Sequence, residues 1–159
     1  MDAKIKTLLM FLMAIFMLAA CREDEELEVY RRLRMLPPAE MEQRFTSLPP
    51  EAQIQLYVFG SSELRPPDLT LAPFLAKQGL HILPALVAEL EKQSAGVDPQ
   101  ALVFVLSMMA RQYQISAAAT YGSRAIGWCN RVYRVETSCH EMARELQQYA
   151  DRNSVTRTP

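Results

Sequence analysis

The spacing of apolar residues divides the chain into two parts. Residues 8–20 are apolar and uncharged, whereas from residue 27 onward apolar side chains recur at the three- and four-residue spacing of amphipathic helices. As a helix, the first run would cover roughly 20 Å of a hydrocarbon core about 30 Å thick. This length is typical of the apolar region of a signal peptide. The alternative is a short membrane anchor that stays uncleaved.

Prolines, glycines and caps divide the second part into predicted helices. One helix is expected from Glu51 to about Ser62, after a proline pair suited to a first turn. Another should run from a Thr70 cap to Gly79, since glycine readily takes the left-handed conformation that ends helices. The next helix has four apolar residues on one face: Leu83, Leu86, Val87 and Leu90.

The C-terminal half predicts a buried helix and a capped final one. The first starts at Asp98-Pro99, continues to about Tyr113 and is apolar nearly all round, which is typical of a central buried helix. The last begins with Ser138-Cys139-His140-Glu141, a capping box of the form S-x-x-E. Residues 117–122 and 126–128 have no clear assignment. The last helix should bury Met142, Leu146 and Tyr149.

The segment from Gly79 to Met109 resembles a HEAT-type helical repeat. Gly79 precedes a leucine-rich helix with Pro84 inside it, and Asp98-Pro99 opens the next helix. The resemblance covers about one repeat. It implies a stacked-helix architecture of the kind that binds other proteins.

The end of the apolar run carries the most specific motif. Leu18-Ala19-Ala20-Cys21 follows a charged opening with Lys4 and Lys6, and it resembles the lipobox of bacterial lipoproteins. The resemblance covers the first 21 residues. It implies export, cleavage before Cys21 and lipidation of that cysteine, which then holds the protein on a membrane because two or three acyl chains bind firmly. Arg22, in place of aspartate, favours the outer membrane, facing the periplasm, if the source is Gram-negative.

The expected organisation follows from these assignments. A signal peptide occupies residues 1–20, and residues 21–36 hold the lipidated cysteine with a charged tether or a short helix. A helical domain spans 37–151, and a polar tail at 152–159 is expected to fray. The fold class is therefore all-α, a single small domain of about five or six helices.

The two other cysteines, Cys129 and Cys139, are expected to pair, because cysteines of exported proteins usually form disulfides. In the chain-entropy model, closing so short a loop stabilises the fold by about 2.5 to 3 kcal/mol. One alternative is a reactive Cys139 thiolate at a helix start, with His140 poorly placed beside it. Another is a zinc site that adds His81 and His140 to both cysteines.

Composition and motifs favour a binding protein over an enzyme. Half of the residues are hydrophobic and the net charge is −1, with acidic and basic residues interleaved, which argues against nucleic-acid binding. No recognised nucleotide, hydrolase or metalloprotease motif occurs. We expect no catalytic residue, metal or cofactor. We expect the domain to bind a protein, in the role of an assembly accessory or of an immunity protein against a periplasmic toxin. The alternative is an envelope enzyme, for example one acting on peptidoglycan. The candidate contact residues are Tyr57, Phe59, Phe74, Tyr113 and Tyr121.

The lipobox gives a direct test. A Cys21→Ser variant should lose both signal-peptide cleavage and acyl labelling, because the sulfur that accepts the lipid is gone. Intact mass and incorporation of labelled fatty acid measure the two effects. A serine variant that is still processed to the wild-type mature mass would refute the lipoprotein assignment.

Overall fold

The computed structural model describes residues 27–64, 66–92 and 98–155, so the predictions for the leader, Cys21 and residues 156–159 lie outside the described residues. Within this part every regular element is helical and none is a strand, which confirms the all-α class. The helices outnumber the five or six expected. They are α1 (27–34), α2 (Pro38–Thr46), α3 (Pro50–Ser62), α4 (Ala72–Lys77), α5 (Leu83–Lys92), α6 (Pro99–Arg111), α7 (Ser116–Ala119), α8 (Gly122–Val132) and α9 (Ser138–Val155).

The chain divides between Met41 and Glu42 into two compact units. In the first, residues 27–34 of the segment predicted as a tether or a short helix form α1, and its Tyr30 and Leu33 are buried. Among the described residues, no helix has both the length and the apolar content needed to cross a bilayer.

Helix α6 is the centre of the second unit, as the sequence predicts. It packs against α3, α4, α5, α7, α8 and α9. Leu102, Leu106 and Met109 are fully buried, and Val103 and Val105 between them are buried as well. The Tyr57 hydroxyl donates a 2.9 Å hydrogen bond to the carbonyl of Ala101, which ties α3 to the start of α6. This places Tyr57 in the core and removes it from the candidate contact residues.

The starts of α4 and α6 differ in how they are capped. Asp98 caps α6 as predicted, its carboxylate accepting a 2.8 Å hydrogen bond from the Gln100 backbone N–H. The prediction of a Thr70 cap for α4 is wrong. The Asp68 carboxylate accepts hydrogen bonds from both the backbone N–H and the hydroxyl of Thr70. This turn delays the helix, which begins at Ala72.

The segment between α4 and α5 confirms the role of Gly79. Its φ of +59° is in the left-handed region, and it is the first residue of a 3-10 turn over Gly79–His81. Helix α5 then buries the predicted face of Leu83, Leu86, Val87 and Leu90.

A buried glutamine joins the end of α2 to α3 and α4. The Gln53 side chain is fully buried, and its amide nitrogen donates to the Leu48 carbonyl at 2.8 Å. Its oxygen accepts a 2.6 Å hydrogen bond from the Gln78 side chain. These partners offset the free-energy cost of removing the amide from water.

The part of the chain that the sequence left unassigned forms α7 and α8. Helix α8 packs closely on α9, which runs on to Val155. Gly122 lies directly against α9, where an added Cβ would stand 2.5 Å from the Cα of Gln147. By contrast, a Cβ at Gly127, in the middle of α8, would meet nothing within 4 Å.

These two glycines form a matched pair for testing the α8–α9 packing. Gly122→Ala should destabilise the protein by about 1 to 3 kcal/mol, because the new methyl group overlaps backbone atoms of α9. Gly127→Ala should stabilise it by about 0.5 to 1 kcal/mol, because alanine loses less backbone entropy in a helix. Urea denaturation followed by circular dichroism measures both. Equal stability of the two variants would contradict this packing.

Candidate functional site

The connection between α8 and α9 is closed covalently. Cys129 and Cys139 form a disulfide across it, with Cα atoms 5.9 Å apart and both side chains buried. This confirms the predicted pair. It also excludes a free Cys139 thiol in this state and removes two of the four ligands from the zinc alternative. The disulfide thus joins the two helices on either side of the five-residue loop 133–137.

His140 connects the loop to both helices by hydrogen bonds. Its Nδ1 accepts a 3.2 Å hydrogen bond from the Thr137 backbone N–H, which makes Nε2 the donor to Asn130 Oδ1 at 3.0 Å. The Thr137 carbonyl accepts from the N–H groups of His140 and Glu141. The cap therefore lies one residue earlier than predicted, at Thr137, and its side-chain bond comes from His140 where Glu141 was expected. With both ring nitrogens engaged, His140 serves as a capping residue of α9.

Tyr133 ties the loop to the central helix. Its hydroxyl donates a hydrogen bond to the Asp98 carboxylate that also caps α6. Burial, and then the hydrogen bond to Asp98, raise the pKa of Tyr133 well above its usual value of 10.0. The Tyr133 ring also meets the His140 ring edge-on, with centroids 6.2 Å apart.

The last residue of α8 and the braced loop present apolar and cationic side chains to solvent. Val132 and Val135 are 53% and 74% exposed, and the exposed Arg134 lies between them in sequence. Within the described part of the chain, no carboxylate pairs with Arg134. We call Val132, Arg134 and Val135 the loop patch. A depression of about 300 Å³ adjoins it, bounded by Tyr133, Asn130, His140 and Arg144 among others.

A second concave region lies on another face of α8. Arg124 sits over two stacked aromatic rings, 5.3 Å from the centroid of Tyr121 and 5.8 Å from that of Trp128. Its guanidinium also forms an ion pair with Glu91, from the last turn of α5. A pocket of about 420 Å³ is lined by Glu91, Arg124, Gly127, Trp128 and Arg131. We call it the arginine pocket.

The candidate residues named from sequence are dispersed. His81 is exposed on the 3-10 turn, and Phe74 packs on the buried Phe45 with ring centroids 6.3 Å apart. Phe59, Tyr113 and Tyr121 are partly exposed, and of these Tyr121 borders the arginine pocket through its stacking on Arg124. In the described ranges, no three His, Cys, Asp or Glu side chains are grouped as metal ligands.

Sequence reasoning missed both the loop patch and the arginine pocket. For the loop patch a signal was present, because Arg131 to Val135 reads R-V-Y-R-V, with two valines and two arginines directly before a capped helix. The pocket had no comparable signal. Its ion pair joins residues 33 positions apart in different helices.

Comparison with known proteins returns no relative. No family model matches the chain, nor does any curated protein or solved structure.

The raised pKa of Tyr133 predicts a loss of stability at high pH. Above pH 10 the unfolded chain releases the phenol proton while the folded protein keeps it, so stability is full below pH 10 and falls as the pH rises. Tyr133→Phe removes this dependence along with the hydrogen bond to Asp98. Urea denaturation between pH 9 and pH 11 should therefore show a steeper decline for the wild type than for the variant. Parallel declines would show that Tyr133 is not held in its neutral form.

Proposed function

We propose that this protein is a lipid-anchored lipoprotein of the bacterial cell envelope whose helical domain binds a partner protein through the loop patch. The observation that carries the binding role is the exposure of two valines, Val132 at the end of α8 and Val135 in the following loop, next to a disulfide that joins α8 to α9. The lipobox at Leu18-Ala19-Ala20-Cys21 supports the anchor. In a Gram-negative source the domain would face the periplasm from the outer membrane.

The loop patch has the physical properties of a binding surface. Covering Val132 and Val135 would remove apolar area from water, which is the main favourable term in protein association. Arginine beside them suits an interface, because its guanidinium combines hydrogen bonding with weak hydration. The disulfide, the Thr137–His140 cap and the Tyr133–Asp98 hydrogen bond hold the loop. A surface ordered in advance loses less entropy on binding.

Membrane attachment complements such a contact. A protein held by acyl chains meets partners of the same membrane at a high effective concentration, so a small patch can suffice. An assembly accessory and an immunity-type protein both fit this description. The resemblance to a HEAT-type repeat supports the same role, since stacked helices in that family bind proteins.

Site-specific photo-cross-linking tests the proposal. A photoreactive residue replaces Val135 in the anchored protein in its native envelope, and the same residue replaces Leu80 as a control. Leu80 is 65% exposed on the 3-10 turn, so it matches Val135 in chemistry and exposure but lies outside the loop patch. We expect one adduct of defined mass from position 135 and none of that mass from position 80.

Two further variants make the result decisive. Adding Val132→Asp should abolish the adduct while circular dichroism stays unchanged, because a charge placed in the contact disfavours its desolvation. Combining the probe with Cys21→Ser should weaken the adduct by removing the anchor. Equal adducts from positions 135 and 80, or an adduct insensitive to Val132→Asp, would refute binding through the loop patch. A turnover activity abolished by changes at the arginine pocket would favour the enzyme alternative.

A further inference from the structure

We propose that the arginine pocket binds a carboxylate ligand. The pocket lies between the last turn of α5 and one face of α8, and its volume of about 420 Å³ is within the usual range of ligand sites. It contains none of the loop-patch residues. The inference therefore goes beyond the proposed function, and the two can fail separately.

Arg124 supplies the first element of the site. The Tyr121 and Trp128 rings support the face of its guanidinium, so an anion can bind at its edge. In this structure the carboxylate of Glu91 binds there. The side chains of this ion pair are 52% and 44% exposed, so a competing carboxylate from solvent can reach it. Glu91 thus shows the kind of group that this position accepts.

Arg131 supplies the second element. It follows Arg124 by seven residues, which places the two on the same face of α8. Within the described ranges, no carboxylate pairs with Arg131 although it lines the same pocket. The charges of the two arginines and Glu91 sum to +1. A monoanion balances this charge, whereas a phosphate dianion would exceed it.

Gly127 leaves space in the pocket, and Trp128 forms part of its wall. Since a Cβ at Gly127 would meet nothing within 4 Å, the missing side chain leaves room between the two arginines. Trp128 is 4% exposed and lines the pocket beside them. A carboxylate group entering over Gly127 would form an ion pair with Arg131. The rest of the ligand would lie toward the indole.

Such a carboxylate can come from a chain end or from an acidic side chain. Three short probes distinguish these sources: acetyl-Ala-Ala with a free C-terminus, acetyl-Ala-Ala-amide, and acetyl-Ala-Glu-amide. The first carries only a terminal carboxylate, the second none and the third only a side-chain carboxylate. Inorganic phosphate is the fourth probe and tests the preference for a monoanion.

The reporter is built into the site, because Trp128 is the only tryptophan of the chain. The purified full chain in a neutral detergent is titrated with each probe while tryptophan fluorescence is recorded. We expect a saturable change with at least one carboxylate probe and none with acetyl-Ala-Ala-amide. Arg131→Gln should raise the Kd roughly tenfold or more, since it removes a charge-assisted hydrogen bond.

Two more variants separate binding from folding. Gly127→Leu should block the change by filling the pocket, and thermal unfolding checks that the variant is folded. Arg152→Gln alters an exposed arginine of α9 outside the pocket and should leave the Kd unchanged. The proposal is overturned if no carboxylate gives a saturable change, if Arg131→Gln binds as the wild type does, or if phosphate binds as tightly as the carboxylates.

Discussion

The rest of the second unit depends on the burial of α6. A helix that is apolar nearly all round reaches low free energy only when other helices cover every side of it. In this chain α3, α4, α5, α7, α8 and α9 all pack against it. Its Ser107 is also buried, so a polar residue in the middle of this helix is withdrawn from water as well. The short helices α4 and α7 gain their stability from this packing, since segments of their length are not stable alone in water.

Elements with strong periodicity and clear end signals could be predicted from sequence. Helices α5 and α6 carry full apolar faces, and Asp98 and Gly79 mark their borders by mechanisms that act locally. Helix α7 could not be assigned because its four residues are too few to show a period. Helix α8 could not be assigned because its buried positions, Gly122, Ala125, Trp128 and Cys129, include only one large apolar side chain. The Thr70 cap failed because Asp68, two residues away, accepts from both the backbone N–H and the hydroxyl of Thr70 and holds that residue in a turn before the helix.

The candidate sites show a similar division. The disulfide followed from counting cysteines and from the expected compartment, without any knowledge of geometry. The arginine pocket depends on where the end of α5 meets α8, which is decided by packing around α6. Likewise, His140 caps α9 because its ring is held where one nitrogen meets the Thr137 N–H and the other meets the side chain of Asn130. No local rule favours histidine over the neighbouring Glu141 for that position.

One carboxylate has a consequence for the dynamics of the molecule. Asp98 accepts hydrogen bonds from the first turn of α6 and from Tyr133 in the loop, 35 residues later in sequence. Opening of the loop therefore leaves the start of the central helix with one fewer neighbour, and fraying of that helix releases the loop. The two segments should form a single cooperative unit in hydrogen exchange. The surface proposed for binding would then share the opening free energy of the core rather than fluctuate as an ordinary exposed loop.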